Sequence, residues 1–382
     1  MRAFARVAWI LLFAIGATDA LAQTAPTIKI GAFLSVTGDG AYVGAPQLAT
    51  LQLYVDLINK QGGVNGQPLE LFYYDVGIDM RSAQTAVHRL IETDRVDLII
   101  GGSTTGAAMT VLSLIEQAQI PFIALAGSTA LISPVNPWVF KTSPTDRIAC
   151  AKILEDMKRR GIARIAMISG DSGFAVSMAE QCTTQAANYG ISIIVNTTYP
   201  SQTRRINDQL ARIRAVPEVQ AVLALDFGST PPYLAEAYRR SGAKAPLYQT
   251  QAQVTEEYLN LAGDAAEGVR MPVPPLSVAD YLPDADPSKR ILRAYIDAYR
   301  KHWDVPPNAY GAYAHDAILI AVSAIVRAGG TDKVAIRQAI EETENFAGAN
   351  GIYRLSAQDH MGLDLNCFRM AEVRNGTWVL IE

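Results

Sequence analysis

The sequence predicts an α/β protein made of two successive halves, each a mostly parallel sheet with helices on both faces. Three observations lead to this fold class. Short apolar runs alternate with amphipathic helical segments, and such a β-α-β order implies parallel strands joined by helical crossovers. The same alternation recurs in the middle of the chain. The length of 382 residues also matches two domains of about 150 residues each.

The first half contains the clearest alternation. Pro46 suits the first turn of its first helix, and Gly62-Gly63 suits the end of that helix. The inward face of the helix carries apolar side chains at helical spacing, namely Leu48, Leu51, Val55 and Ile58. The predicted strands of this half are residues 28–34, 69–75, 97–101 and 121–125, and the predicted helices are residues 46–61, 81–93 and 105–118.

The second half repeats this order before the pattern changes. Its predicted strands are residues 165–169, 191–197, 221–225 and 246–250, and its predicted helices are residues 173–189, 206–215 and 232–241. Three helices then follow closely, at residues 288–302, 311–328 and 334–343. The chain ends in two strands, residues 368–374 and 377–381, which Asn375-Gly376 joins as a hairpin.

The first 22 residues are typical of an export signal. Arg2 and Arg6 precede an apolar run at residues 7–17, and Ala20-Leu21-Ala22 fits the small-x-small cleavage pattern. The run is shorter than the about 20 residues that a membrane span needs. We expect no later segment to be long and apolar enough to cross a membrane. The mature protein is therefore expected to be soluble and outside the cytoplasm. A membrane anchor that stays in place is the alternative.

Charge and cysteine content narrow the function classes. The formal net charge is −4 and no basic stripe is present, which argues against nucleic acid and against anionic membrane surfaces as partners. The three cysteines are Cys150, Cys182 and Cys367, so at least one thiol is left over in a compartment that permits disulfides. Their spacing matches no metal site and favours buried apolar thiols. A bond between Cys150 and Cys182 remains open.

Two turns in the first half are rich in small and hydroxylated residues. They are residues 101–106, at the start of a predicted helix, and residues 126–129. Ligands of open α/β sheets bind beyond the carboxyl ends of the strands, and free amides at a helix start favour an anion. The run lacks the Lys-Ser/Thr ending of a phosphate loop. The alternative is that Thr105 serves only as a helix N-cap.

No group of residues with the pattern of an enzyme site is found. The four histidines at positions 88, 302, 315 and 360 lack metal-ligand spacing. There is no Gly-x-Ser-x-Gly elbow, and no cysteine lies in an activating motif. The sequence therefore predicts binding rather than catalysis, with neither a cofactor nor a metal.

Several strings resemble one protein family. They are IKIGAFLSVTGDGAYVG, INKQGGVNGQPLEL, IIGGSTTGAAMTVLSLIEQAQIPFIALAGST, LAGDAAEGV and AYGAYAHDAILIAVSAI, and they extend over essentially the whole mature chain. In this order they resemble the periplasmic leucine/isoleucine/valine-binding proteins, the type I binding proteins of ABC importers.

The resemblance implies two Rossmann-like lobes that are joined by three hinge crossovers and close around a ligand. Applied here, one lobe would be residues 27–142 plus 274–348 and the other residues 143–273 plus 349–382. It also implies a small-molecule ligand and a permease partner in the membrane. The export signal predicts the periplasm as the location, and a monomer is the default expectation. A sensor that feeds a separate membrane receptor is an alternative, since the same fold serves in receptors.

The resemblance also implies a set of site residues. In the family the two hydroxyl-rich turns bind the ligand carboxylate, and the matching positions here are Thr105, Gly127 and Ser128. Aromatic side chains from loops after strands are expected to form an apolar box around a small body. Those aromatics are Tyr42, Phe174, Phe227 and Tyr310.

The chain departs from the family at the position that pairs with a ligand ammonium. Amino-acid binders usually have a carboxylate there, whereas the best match here is Gln251. A neutral amide cannot balance a buried ammonium, although Asp226 is a candidate counter-charge. We therefore expect a carboxylate ligand with an apolar or aromatic body, whose ring hydroxyl would bond to Gln251 or Asp226. A branched-chain or other apolar amino acid is the alternative.

Overall fold

The computed structural model describes residues 26–201 and 203–381. The predicted export signal at residues 1–22 lies outside the described residues. Two sheets form the framework, and the predicted α/β class is confirmed. The first sheet is entirely parallel in the order β2-β1-β3-β4-β5. Its strands are β1 (Ile28–Leu34), β2 (Leu69–Asp75), β3 (Leu98–Gly101), β4 (Phe122–Ala124) and β5 (Val139–Lys141).

The second sheet is mixed, in the order β14-β13-β10-β9-β8-β6-β7. The strands from β10 to β7 are parallel, and β13 and β14 are antiparallel. Its strands are β6 (Arg164–Ser169), β7 (Ser192–Thr198), β8 (Ala221–Leu225), β9 (Leu247–Tyr248), β10 (Arg270–Val273), β13 (Arg369–Arg374) and β14 (Thr377–Leu380). A separate pair consists of β11 (Phe346–Ala347) and β12 (Ile352–Tyr353).

Twelve α-helices lie in the described part of the chain. Those before β5 are α1 (Ala41–Lys60), α2 (Met80–Arg89), α3 (Thr105–Thr110) and α4 (Leu112–Ala118). Those between β5 and β10 are α5 (Asp146–Arg159), α6 (Gly173–Ala186), α7 (Asn207–Arg214), α8 (Thr230–Arg240) and α9 (Glu256–Ala262). The last three are α10 (Pro287–Trp303), α11 (Ala309–Ala328) and α12 (Lys333–Glu341).

The chain crosses three times between the two sheets and their helices. It leaves the first sheet after β5, returns after β10, and passes back to the second sheet before β13. On the return, α11 packs against α1, and Thr50 of α1 is bonded to Tyr295 of α10 (2.7 Å). We call the first sheet with α1–α4 and α10–α12 the first lobe, and the second sheet with α5–α9 the second lobe. The residue bounds given above for the lobes stay a prediction.

The first helix begins earlier than the sequence predicts. Helix α1 starts at Ala41, so Pro46 lies inside it rather than in its first turn. A proline inside a helix cannot donate a hydrogen bond to the carbonyl four residues earlier. For Pro46 this is the carbonyl of Tyr42. The side-chain amide of Asn308 donates to this carbonyl instead (3.1 Å). The same side chain caps α11 through bonds from the amides of Tyr310 and Gly311.

Several other elements differ from the predictions. The single helix expected at residues 105–118 breaks at Val111, which separates α3 from α4. The predicted elements lack four strands, β5, β10, β11 and β12, and two helices, α5 and α9. The C-terminal hairpin is confirmed, with Arg374 opposite Thr377 and positive φ values at Asn375 (52°) and Gly376 (69°). Both turn positions therefore have the left-handed conformation that asparagine and glycine tolerate best.

Two further expectations need correction. Helix α11 is long and apolar enough to cross a membrane, contrary to the expectation that no later segment has this length and composition. It is a core helix, since 72% of its most apolar stretch is buried inside the protein. Cys150 and Cys182 form a disulfide between α5 and α6 instead of two thiols, whereas Cys367 is a free, buried thiol. Packing of these two helices brings the cysteines together, and sequence spacing alone does not reveal this contact.

Candidate functional site

Two adjoining cavities lie between the lobes, at the carboxyl ends of β3, β4 and β8. The inner cavity leaves ≈ 60 Å³ for the centres of water-sized molecules and is lined by Val43, Ser103, Thr104, Thr105, Leu125, Gly127, Ser143, Pro144, Phe174, Phe227, Gln251, Ala252, Tyr310 and Tyr313. The outer cavity leaves ≈ 380 Å³. Thr104, Thr105, Phe174 and Phe227 line both cavities.

Seven of the nine predicted site residues line one or both cavities, and Ser128 and Asp226 line neither. Tyr42 faces the outer cavity, and Gly127, Gln251 and Tyr310 face the inner one. The topology brings them together because turns that follow strands of both sheets meet at the cleft.

Thr104 and Thr105, at the start of α3, have different roles. The Thr104 hydroxyl accepts a bond from the Ala107 amide (3.3 Å), so Thr104 is the N-cap and the N-cap alternative for Thr105 is wrong. Thr105 is buried, and its hydroxyl has no hydrogen-bond partner among the described residues. The amides of Thr105 and Gly106 belong to the first helical turn, which lacks acceptors within the helix. The start of α3 therefore offers a hydroxyl and amides to an anion at Thr105, which lines both cavities.

The second hydroxyl-rich turn, residues 126–129, lines the inner cavity through Gly127, which has no side chain. A Cβ on Gly127 would lie 3.4 Å from the Phe174 ring, which is ordinary van der Waals contact, so this turn packs directly against the second lobe. The Ser128 hydroxyl pairs with the hydroxyl of Ser177 (2.7 Å) on α6 and accepts a bond from the Ala130 amide. Ser177 in turn donates to Asp146. Ser128 thus joins the lobes beside the cavity.

Aromatic side chains from both lobes enclose the inner cavity. The rings of Phe174 and Phe227 meet edge to face with centroids 6.1 Å apart. Tyr310 donates a hydrogen bond to the carbonyl of Ala252 (2.8 Å), and its ring lies edge-on to that of Tyr42 (5.8 Å). Burial raises the pKa of both tyrosines, so their hydroxyls stay neutral near pH 7. The contacts across the cleft describe a closed arrangement of the lobes.

A model of the periplasmic binding protein family matches residues 27–377. The match spans both lobes and confirms the resemblance found in the sequence. The chain belongs to the periplasmic binding protein family.

Known members of this family resemble the chain over most of its length. Leu/Ile/Val-binding protein homolog 7 of Brucella melitensis biotype 1 is 23% identical over 365 residues, which are 89% of this chain and 88% of that protein. The leucine-, isoleucine-, valine-, threonine-, and alanine-binding protein of Pseudomonas aeruginosa is 23% identical over 335 residues, which cover 86% of this chain and 85% of that protein.

A solved structure supports the fold of this periplasmic binding protein. An extracellular ligand-binding receptor from Rhodopseudomonas palustris HaA2 superposes with a TM-score of 0.87. The alignment covers 94% of this chain and all of the receptor chain, at 24% identity. At this level of sequence identity the similarity shows only that the two proteins share a fold.

Gln251 and Asp226, the two predicted partners for the far end of a ligand, differ in their surroundings. Gln251 lines the inner cavity, and its Oε1 has no hydrogen-bond partner among the described residues. The Asp226 carboxylate is buried and accepts bonds from the hydroxyls of Ser172 and Ser201 (both 3.1 Å at the nearer oxygen). Burial raises the pKa of Asp226 despite these bonds. Of these two side chains only Gln251 lines the inner cavity, and its free acceptor is the oxygen of a neutral amide.

The site of this periplasmic binding protein contains residues that the sequence reasoning missed. Tyr313 lines the inner cavity, and Gln253 and Tyr258 line the outer one. Helical spacing gives a signal for Tyr313, which lies three residues after Tyr310 on α11. Gln253 lies in a short 3-10 helix, Gln251–Gln253, that no sequence pattern indicates. In the described part of the chain no cluster of three His, Cys, Asp or Glu side chains could hold a metal.

Proposed function

We propose that this protein binds a small carboxylate with an apolar or aromatic body in the inner cavity and delivers it to an ABC importer permease. It would work in the periplasm and catalyse no reaction. One observation carries the choice of ligand: among the described residues that line the inner cavity, none is Asp, Glu, Lys, Arg or His. The cavity therefore suits a ligand with one charged end that hydroxyl and amide groups can hold.

The carboxylate end is expected to lie at Thr105. A hydroxyl and free helix-start amides together hold an anion without a counter-charge, and each charge-assisted hydrogen bond contributes about 1.5–3 kcal/mol. The unpartnered Thr105 hydroxyl supports this assignment, since a ligand would satisfy an otherwise orphaned buried group.

The body of the ligand is expected to lie between the aromatic rings, and its far end at Gln251. Phe174, Phe227 and Tyr310 supply apolar surface on opposite sides of the cavity. The free Oε1 of Gln251 accepts one hydrogen bond, which a ligand hydroxyl would satisfy. Lobe closure on three crossovers then excludes water from these contacts.

A branched-chain or other apolar amino acid is the second candidate, because the relative from Pseudomonas aeruginosa is named for binding such amino acids. Its ammonium would find only the Gln251 amide in the inner cavity. An unpaired buried charge is much more costly than an unpaired polar group. The absence of acidic side chains from the described lining therefore favours the carboxylic acid over the amino acid.

A binding panel tests the proposal on the purified mature protein. The panel contains benzoate, 4-hydroxybenzoate, 4-methylpentanoate, benzamide, leucine and isoleucine, measured by thermal shift and titration calorimetry. We expect at least one acid to bind, and benzamide not to bind, because the amide lacks the charge that Thr105 recognises. Tight leucine binding with no binding of any acid lacking an ammonium group would establish the second candidate instead.

Two threonine variants then test the anchor. Thr105→Val keeps the shape and removes the hydroxyl, and we expect affinity for the bound acid to fall by about tenfold or more. Thr230→Val is the matched control, because the Thr230 hydroxyl is also buried without a partner among the described residues yet lines neither cavity. Equal affinity of wild type and Thr105→Val would show that the anchor is assigned to the wrong residue.

A further inference from the structure

The outer cavity is larger than the inner one, and the proposed function does not use it. It leaves ≈ 380 Å³ against ≈ 60 Å³ and begins where the inner cavity ends, at the pair of rings from Phe174 and Phe227. A ligand whose far end passes these rings, instead of ending at Gln251, would enter the outer cavity without leaving the carboxylate anchor.

Two buried side chains that line the outer cavity carry unused hydrogen-bonding groups. Gln253 and Tyr258 both line it, and they are 3% and 1% exposed. The Nε2 of Gln253 and the hydroxyl of Tyr258 have no hydrogen-bond partner among the described residues. A buried donor without a partner is unfavourable, and the Nε2 group can only donate. A neutral oxygen acceptor at the far end of a ligand would satisfy it.

The rim of the outer cavity is apolar and acidic. Ile78, Met80 and Leu261 are 42%, 57% and 60% exposed, and all three line the cavity. Asp39 and Glu257 also line it, and none of its described lining residues is Lys, Arg or His. Like charges repel, so a second carboxylate on the ligand would be disfavoured here.

We propose that the outer cavity is a second subsite, which takes the far end of an elongated monocarboxylic acid carrying a neutral hydrogen-bond acceptor. The inference rests on the proposed function, because the carboxylate of the same molecule lies at Thr105. Gln253 and Tyr258 recognise the acceptor, and Asp39 and Glu257 select against dicarboxylates.

Four probes of graded length test the subsite by titration calorimetry. Benzoate reaches the inner cavity only, and 3-phenylpropanoate extends the apolar body. 3-(4-Acetylphenyl)propanoate adds a neutral carbonyl, and 3-(4-carboxyphenyl)propanoate adds a second charge. We expect the acetyl compound to bind about tenfold tighter than 3-phenylpropanoate and the dicarboxylate to bind more weakly than either.

Variants link these differences to the outer cavity. Gln253→Leu is expected to reduce the affinity of the acetyl compound to that of 3-phenylpropanoate, because the donor is lost. Leu261→Trp changes an exposed position and partly fills the cavity mouth, so it should weaken the acetyl compound at least about tenfold more than benzoate. Val334→Trp, at an exposed position of α12 outside both cavities, is the size-matched control.

The possible results separate the two proposals. Equal affinities of the acetyl compound and 3-phenylpropanoate, unaffected by Leu261→Trp, would overturn the subsite. If benzoate still binds in that case, and its binding still depends on Thr105, the proposed function is retained. Binding of leucine but of none of the four acids would overturn the proposed function and this inference with it. If Gln253→Leu fails to fold, Leu261→Trp and its control still decide the question.

Discussion

The backbone amide of Gly228 donates a hydrogen bond of 3.0 Å to the hydroxyl of Tyr42, and the two residues belong to different lobes. Tyr42 lies in the first turn of α1, and Gly228 follows β8 with a left-handed φ of 82°. The bond therefore forms only where the lobes meet. Both residues line the outer cavity, so the bond lies beside that cavity in the closed arrangement of the lobes.

Removal of this bond should weaken ligand binding more than folding. Tyr42→Phe keeps the ring and removes the acceptor, so the closed state loses a bond worth about 0.5–1.5 kcal/mol and the open state loses none. We expect affinity for the bound acid to fall about three- to tenfold, measured by calorimetry. Tyr281→Phe, at an exposed position outside both cavities, is the control. Unchanged affinity of Tyr42→Phe would mean that the bond does not contribute to closure.

The bond from Asn308 to the Tyr42 carbonyl should stabilise the fold. Asn308→Asp keeps an oxygen that caps α11 but loses the Nδ2 donor, which leaves the carbonyl without its partner. We expect the free energy of unfolding in urea to fall by about 1–3 kcal/mol.

A double variant tests the reason for this loss. Pro46→Ala restores an N–H that can donate to the Tyr42 carbonyl within α1. Asn308→Asp combined with Pro46→Ala should therefore recover about half or more of the stability lost in the single variant. Strictly additive effects of the two changes would contradict a shared carbonyl.

The sequence was sufficient for most of the fold because its strongest signals are local. Apolar runs such as residues 98–101 and 221–225 are buried on both faces, as parallel strands require. Asn375-Gly376 needs no tertiary contact to form its turn. Helix α5 also carries a local signal, since Thr145 caps it and Ala149, Ile153 and Met157 are buried at helical spacing. The cap and this spacing are therefore enough to predict α5 from the sequence.

Other features depend on contacts between distant segments. The Tyr42 carbonyl, which Pro46 leaves without a donor inside α1, is bonded by Asn308 at the start of α11. The Cys150–Cys182 bond depends on how α5 packs against α6. Turns after strands were enough to predict the candidate site in outline. The hydrogen bond between Ser128 and Ser177 and the place of Gln253 in the lining of the outer cavity depend on how the two lobes meet.

The disulfide should stabilise the second lobe. It closes a loop with a sequence separation of 32, for which a cross-link typically contributes about 2–4 kcal/mol. Cys150→Ala combined with Cys182→Ala is expected to lower the free energy of unfolding by this amount. A reductant should destabilise the wild type similarly and leave the double variant unchanged. Equal stability of oxidised and reduced wild type would contradict a stabilising bond.

A buried lysine beneath the Ser128 turn should make stability depend on pH. Lys141 lies on β5 with no exposed surface, and its Nζ donates to the Ser128 carbonyl (3.3 Å). Burial lowers the pKa of Lys141 to about 7, although the nearby Asp146 and Cys367 act in the opposite direction. The unfolded chain keeps this lysine protonated up to about pH 10.4. Between these values the unfolded state holds one more proton, so stability rises with pH.

Lys141→Met isolates this effect because it keeps an unbranched side chain and removes the titrating group. We expect the wild type to gain stability relative to the variant by about 1.4 kcal/mol per pH unit between pH 7 and pH 9. Below pH 7 both states are protonated and the difference between the two proteins should be constant. Urea unfolding of both proteins at pH 6, 7, 8 and 9 measures this difference in stability. Parallel curves over that whole range would mean that Lys141 keeps an ordinary pKa in the folded protein, because its ammonium would then be retained beside Ser128 and Asp146.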